Sequence, residues 1–257
     1  MEKGFLGEQR ANSVLFVLLG ASNLSRAYYG FIKHLERCLY PRSALFLNAL
    51  GPGRGYCVEG GLLNIVYPAI KTCGILDAAR TASAGRVVAL ATDIGNDIMF
   101  NVPAEKIIAD LAELFEKLHA MDADILVTPI PRYLENGLDD FHFQCLRALF
   151  YPGSRINREE AVSAVCEINR FLKSSASNYI TLISGLESYY GIDKIHFSPF
   201  KMHVVWTRIA GEILRVLHVE SAETIGFSEI LRSLGAQVLR LALSDMASIR
   251  GKGPGYF

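Results

Sequence analysis

The chain has 257 residues, 26 basic against 26 acidic, with 51% hydrophobic and 20% charged positions. Balanced charge leaves no net field to gather nucleic acid or an anionic membrane surface, and a chain of this length can bury a large core without disulfides or a structural metal. The five cysteines, Cys38, Cys57, Cys73, Cys145 and Cys166, are odd in number and form no CxxC pair, so neither a disulfide framework nor a cysteine zinc site is expected.

From the N-terminus, "MEKGFLGEQRANS" lacks the basic-then-apolar pattern of a leader, and the apolar run "VLFVLLG" is too short to span a bilayer. The expectation is a cytoplasmic protein without an integral membrane segment. Five short apolar runs recur at 14–19, 44–50, 86–92, 124–130 and 179–184. Each is nearly continuous in Val, Ile, Leu, Phe and Ala, as in strands of a parallel sheet buried on both faces. Helical spacing fills the gaps. "EKIIADLAELFEKLHAM" aligns Ile107, Leu111, Phe115 and Leu118 behind Pro103, and "REEAVSAVCEINRFLKS" aligns Val162, Val165, Ile168 and Leu172. Strand–helix alternation predicts a three-layer α/β/α sandwich around a five-stranded parallel sheet; taken as flavodoxin-like in strand order, that sheet has its first and third strands as neighbours.

Residues 132–157, "PRYLENGLDDFHFQ" through "YPGSR", read as a long irregular stretch of the kind that covers active sites. After the last strand come "FKMHVVWTRIAGEILRVL", expected to pack back on the sheet, and "FSEILRSLGAQVLRLALSDM", an added helix or an interface element. The tail "RGKGPGYF" reads as mobile. Without an internal repeat or linker, 1–257 is expected to be one domain, with 220–257 as a C-terminal helical extension.

In open parallel sheets ligands bind beyond the carboxyl ends of the strands, where the strand order switches. The segments following the five runs are "GASNLS" with Ser22, "NALGPGRGY" with Gly51, Gly53 and Gly55, "TDIGNDIMF" with Asn96, "PIPRY" with Arg132 and Tyr133, and "GLESYYGIDKIHFSP" with Asp193 and His196. A serine hydroxyl needs a base to become a nucleophile. An imidazole base needs a carboxylate to fix its tautomer. A tetrahedral oxyanion needs preorganised donors, for which the Ser22 N–H, a glycine N–H of "GPGRGY" and the Asn96 amide are candidates. Arg54, Arg132 and Tyr133 are candidate substrate contacts, an arginine there being suited to a carboxylate or phosphate.

These four blocks, in this order, resemble the SGNH/GDSL hydrolases. "GASN" matches the serine block, "NALGPG" the glycine block with Gly53 as the matching glycine, "IGND" the asparagine block, and "DKIH" the late Asp-x-x-His. The resemblance runs from about residue 14 to about 215. It implies a serine ester hydrolase with a Ser22–His196–Asp193 triad, an oxyanion hole of Ser22, Gly53 and Asn96, a small-molecule ester as substrate, and no cofactor or metal. Two positions depart from the family pattern: Ala21 stands where an Asp is usual, and Ile94 where a Gly is usual.

Other motifs are weaker. "GPGRGY" mimics a dinucleotide loop, but Tyr56 stands at the final glycine and the loop follows the second strand. Neither a P-loop nor a G-x-S-x-G elbow occurs. His142 with Cys145, or His196 with His203, lacks a third ligand at metal spacing. His34, His119 and His218 read as structural or solvated, and Asp93 and Asp97 as residues ordering the asparagine-block turn. Two alternatives use the same residues: an acyltransferase, and a catalytically silent member that binds a ligand or partner.

Overall fold

The structure, a computed structural model, describes residues 12–62, 65–133, 137–177, 179–246 and 255–257. Five parallel strands form its centre: β1 (Ser13–Leu19), β2 (Ser43–Ala49), β3 (Arg86–Ala91), β4 (Ala123–Val127) and β5 (Ile180–Leu182), in the order β2-β1-β3-β4-β5. This is the flavodoxin-like order. Leu19 is level with Ala49 on one side and Ala91 on the other, so the chain leaves β1 and β3 at adjacent points on one sheet edge, the switch point where ligands bind.

Period-two alternation divides the apolar strand residues between two cores. Leu15, Val17 and Leu19 join the core under α2 (Ile75–Thr81), α4 (Ala104–His119) and α6 (Arg158–Ser174). Phe16 and Leu18 join the core under α1 (Ser22–Leu39) and α7 (Met202–Val216). Ile107, Leu111, Phe115 and Leu118 are all buried, as their spacing predicts. In α6, Val165, Ile168 and Leu172 are buried, while Ala161 rather than Val162 takes the first buried position. Trp206 of α7 is fully buried and meets Phe31 of α1 and Phe197 edge-on, at ring-centroid distances of 5.0 and 6.1 Å. The residue after His196 is thereby anchored in the core.

Several expectations are corrected. The fourth run stops at Val127 instead of continuing to residue 130. Pro129 has no N–H to donate to a ladder, and the Ile130 backbone is satisfied sideways by Asn169, whose amide accepts from its N–H and donates to its carbonyl, both at 2.9 Å. Strand β2 lies at the sheet edge and its first half is open to solvent, Leu45 included. The stretch 132–157 contains a helix, α5 (Asp140–Phe150), capped by Asp139 accepting from the His142 N–H. The added helix α8 (Phe227–Arg240) packs on α1 of its own chain, where the Gly30 N–H donates to Ser233 Oγ at 2.6 Å. A π-helical turn (Leu241–Met246) follows. Of the tail expected to be mobile, 255–257 lie along β2 through the Asn48–Gly255 and Phe257–Asn48 backbone bonds. The rest of it falls outside the described residues.

Candidate functional site

Strand β1 delivers Ser22 as the first residue of α1, at the switch point. The cap of this helix comes from the end of β3. Asp93 Oδ2 accepts from the N–H groups of Ala21 at 2.9 Å, Asn23 at 3.2 Å and Leu24 at 3.4 Å. Asp93 holds φ of 59°, a left-handed conformation that aspartate tolerates better than most residues. Among the described residues nothing accepts from the Ser22 N–H. The helix start is thus secured on both sides of Ser22, while the serine's own donor stays available to a ligand.

The loop after β5 contributes Asp193 and His196. Asp193 Oδ2 lies 2.8 Å from His196 Nδ1, and its Oδ1 accepts from the backbone N–H of His196 at 2.9 Å and of Ile195 at 3.1 Å. Burial pushes the Asp193 carboxyl up, but these hydrogen bonds and the His196 charge outweigh it and hold the group down at about 2. Asn23 ties this loop to the Ser22 helix. Its amide donates to Asp93 Oδ1 at 2.8 Å and to the Ile195 carbonyl at 3.1 Å, and accepts from the Phe197 N–H at 2.8 Å. Arg26, one turn beyond Ser22, sits in the field of Asp193 and Asp93; burial lowers its guanidinium from the ordinary value and the two carboxylates oppose that.

The glycine-rich loop after β2 is held by Asp97. Its Oδ2 accepts from the Tyr56 N–H at 2.6 Å and its Oδ1 from Cys57 at 2.9 Å and Val58 at 3.2 Å. Burial raises this carboxyl despite the three donors. The buried Tyr56 hydroxyl lies within hydrogen-bond distance of the Leu19 and Thr92 carbonyls, 2.9 and 2.7 Å away, joining the ends of β1 and β3. Gly53 is left-handed at φ +72°, and a Cβ there would come within 2.9 Å of the Gly61 backbone, so glycine is required on two counts. Asn96, first residue of α3 (Asn96–Met99), donates from Nδ2 to the Arg54 carbonyl at 3.0 Å and accepts on Oδ1 from the Tyr151 hydroxyl at 2.7 Å. One amide proton remains.

A cavity of about 130 Å³ opens beside Ser22 and Asn96. Its inner wall is Ile94, Ile98, Ile130, Phe143 and Val165. Helix α5 roofs it with Phe143, Leu146 and Arg147, and Tyr133, Tyr190, Asp193 and Lys194 lie around it. The Tyr133 hydroxyl donates to the Glu187 carbonyl, and Lys194 Nζ sits 4.7 Å above the Tyr133 ring. Phe150 at the end of α5 meets the His196 ring edge-on, centroids 6.2 Å apart.

Ser22, Asn96, Asp193 and Tyr133 line one cavity, and His196 is attached to it through Asp193. Gly53 lies beyond Asn96 in the adjoining loop. Among the described residues no hydrogen bond joins Ser22 to His196. Two expected substrate contacts are corrected. Arg54 is wholly buried and faces away from the crevice, donating from Nε to the Pro68 carbonyl and from Nη1 to the Phe257 main-chain oxygen. Arg132 is exposed and does not line the cavity, unlike its neighbours Pro131 and Tyr133. Asp93 and Asp97 brace the loops after β1 and β2, well beyond the turn they were expected to order. Asn23 and the Asp93 cap were missed by sequence reasoning, and the cover expected at 132–157 was not recognised as helical; the "LDDF" start of α5, with its Asp139 cap, is the one signal that could have been found.

On the far side of α1, ligand atoms of His34, Cys38 and Glu223 lie within 4.8 Å of one another. Glu223 is already ion-paired with Arg37 at 3.0 Å. No helix among the described residues is long and apolar enough to cross a membrane.

No protein-family model matches the chain, and no curated protein matches it. Solved structures do. A carbohydrate acetylesterase family member from Sinorhizobium meliloti superimposes with a TM-score of 0.50 at 14% identity, covering 80% of this chain and 99% of that one. Est24, a carbohydrate acetylesterase from Sinorhizobium meliloti, does so with a TM-score of 0.50 at 14% identity, covering 79% and 99%. At such identities the likeness is one of fold.

Proposed function

We propose that the chain is a member of the SGNH/GDSL hydrolases and cleaves carboxylic esters with Ser22 as nucleophile. The observation that carries this reading is the Asn23 amide, which binds the backbone on both sides of His196 while sitting next to Ser22. It supports the reading because it links the Asp193–His196 loop to the helix start that carries Ser22. The fold shared with the two acetylesterase structures agrees with it.

In this reading Ser22 Oγ attacks the ester carbonyl carbon, the C=O electron pair moves onto oxygen, and His196 takes the serine proton. Asp193 accepts from His196 Nδ1–H, which leaves Nε2 as the base and stabilises the imidazolium. The Ser22 N–H, the Gly53 N–H and the remaining Asn96 Nδ2–H hold the oxyanion. Collapse breaks the C–O bond to the alcohol, which leaves with the His196 proton. Water, deprotonated by His196, then attacks the acyl carbon; the bond from that carbon to Ser22 Oγ breaks, the serine takes back the proton from His196, and the carboxylic acid is released. The contact between Ser22 and His196 closes in the substrate complex, as catalytic hydrogen bonds often tighten only there.

The test is labelling with a fluorophosphonate, read by intact mass, on wild type, Ser22→Ala and His196→Ala. The expected result is one adduct on wild type and none on either variant. An unlabelled, folded wild type, or undiminished labelling of Ser22→Ala, removes the reading.

A further inference from the structure

We infer that the cavity beside Ser22 receives the acyl half of the substrate and is built for an aliphatic acyl group of about four to six carbons; this rests on the reading of Ser22 as the nucleophile. The first argument is chemical. Ile94, Ile98, Ile130, Phe143 and Val165 form a continuous apolar wall. A water molecule held there needs two to four polar partners, and this wall supplies none. A sugar, with a hydroxyl on nearly every carbon, is equally ill-matched, because each unpaired hydroxyl carries a desolvation cost. Three polar side chains around it are already engaged: the Tyr133 hydroxyl with Glu187, Arg147 with the Ile156 carbonyl, and the Tyr151 hydroxyl with Asn96.

The second argument is size. The cavity measures about 130 Å³. An apolar protein cavity of roughly 150 Å³ accommodates benzene, a molecule of six carbons. An acetyl group leaves most of this volume empty, and a chain of ten carbons overfills it. The third argument is adjacency. Ser22 and Asn96, the nucleophile and an oxyanion donor of the proposed reaction, line the same cavity as Val165 of α6 and the rest of the apolar wall. An acyl group whose carbonyl is held by Asn96 therefore has that wall within reach of its alkyl chain. The wall is also held in place: Asn169 fixes Ile130 by both its N–H and its carbonyl, and Phe143 is the buried residue of α5. A preformed pocket of this kind selects by length.

The experiment measures kcat/KM for p-nitrophenyl esters from acetate to decanoate, one leaving group throughout. Each methylene that enters the wall raises kcat/KM by about fourfold, so the optimum is expected between butyrate and hexanoate. Val165→Phe fills the pocket and is expected to lower the hexanoate-to-acetate ratio at least tenfold. Ile98→Ala enlarges it and moves the optimum to longer chains. Ratios are independent of how much of each variant folds. An optimum at acetate, or ratios unmoved by both variants, overturns the acyl pocket while leaving Ser22 catalysis intact. Failure to cleave any ester, together with absent fluorophosphonate labelling, instead overturns the hydrolase reading on which the pocket rests.

Discussion

Asn23 accepts from the Phe197 N–H at 2.8 Å, across 174 residues of chain, and donates to the Ile195 carbonyl at 3.1 Å. One side chain thereby fixes the backbone on both sides of His196 from the residue next to Ser22. The amide thus ties the helix start that carries Ser22 directly to the loop that carries His196. Asn23→Ala is expected to lower kcat by about a hundredfold, the cost of a displacement near 1 Å in a reacting pair, with KM nearly unchanged. Asn23→Asp loses both donated bonds and sets a carboxylate against Asp93, and should be worse. A merely structural Asn23 would move stability without separating kcat from KM, so equal kcat in wild type and Asn23→Ala, at full folding, excludes the positioning role.

Asp93 supplies the other half of that arrangement, as the cap on α1. Removing it should cost about 1–2 kcal/mol of stability, the usual worth of a helix cap. Its left-handed backbone, φ 59°, adds a distinguishing feature. Asp93→Ala and Asp93→Gly both lose the cap, but only alanine retains a Cβ in an unfavourable conformation. Urea denaturation should therefore find the glycine variant more stable than the alanine variant by about 1 kcal/mol. The reverse order would show that a Cβ in this left-handed conformation carries no measurable strain at residue 93.

The fold was legible because strands buried on two faces are written as near-continuous apolar runs, and Leu15 to Leu19 could be nothing else. The strand order is not written in the runs themselves; the flavodoxin-like order entered as an assumption, and the structure supplies it as β2-β1-β3-β4-β5. The fourth strand was drawn too long because apolar composition continues through Ile130 while the hydrogen bonding changes at Pro129. Helix α5 escaped because only Phe143 of its residues is buried, too thin an apolar stripe to register. Arg54 was misplaced for a different reason: an arginine in a glycine-rich loop reads as solvated, and the carbonyls of Pro68 and Phe257 that receive it inside the protein are remote in sequence. Asn23 and Asp93 were illegible on the same ground, since the partners that join them to other loops lie 69 residues or more away.

Asp97 carries the glycine-rich loop on three N–H groups, those of Tyr56, Cys57 and Val58. Asp97→Ala leaves all three without an acceptor in a buried setting, at about 1–3 kcal/mol each, and the expected outcome is a loss of several kcal/mol or failure to fold. Asp97→Asn retains one acceptor oxygen and should fall between. Because the loop also contains Gly53 and receives the Asn96 amide on the Arg54 carbonyl, Asp97→Asn should lower kcat as well as the urea midpoint. A midpoint unchanged within error in Asp97→Asn would mean that the loop holds itself through its glycine turns.

The Asp193 carboxyl gives a pH signature for the His196 loop. In the folded chain burial raises it, but the bonds from His196 and Ile195 prevail and hold it down at about 2; in the unfolded chain an aspartate titrates near about 4. Above pH of about 4 it is ionised in both states, and its bonds contribute fully. As pH falls from there towards 2, the unfolded chain takes up the proton first, and the contribution is progressively lost. Stability from this group therefore rises with pH across that window. Asp193→Asn cannot titrate. The stability gap between wild type and Asp193→Asn, measured by urea denaturation, should be larger at pH 5 than at pH 3. A gap that is constant, or that widens on acidification, would show that Asp193 holds the loop through its geometry as an acceptor and that its charge has no part in it.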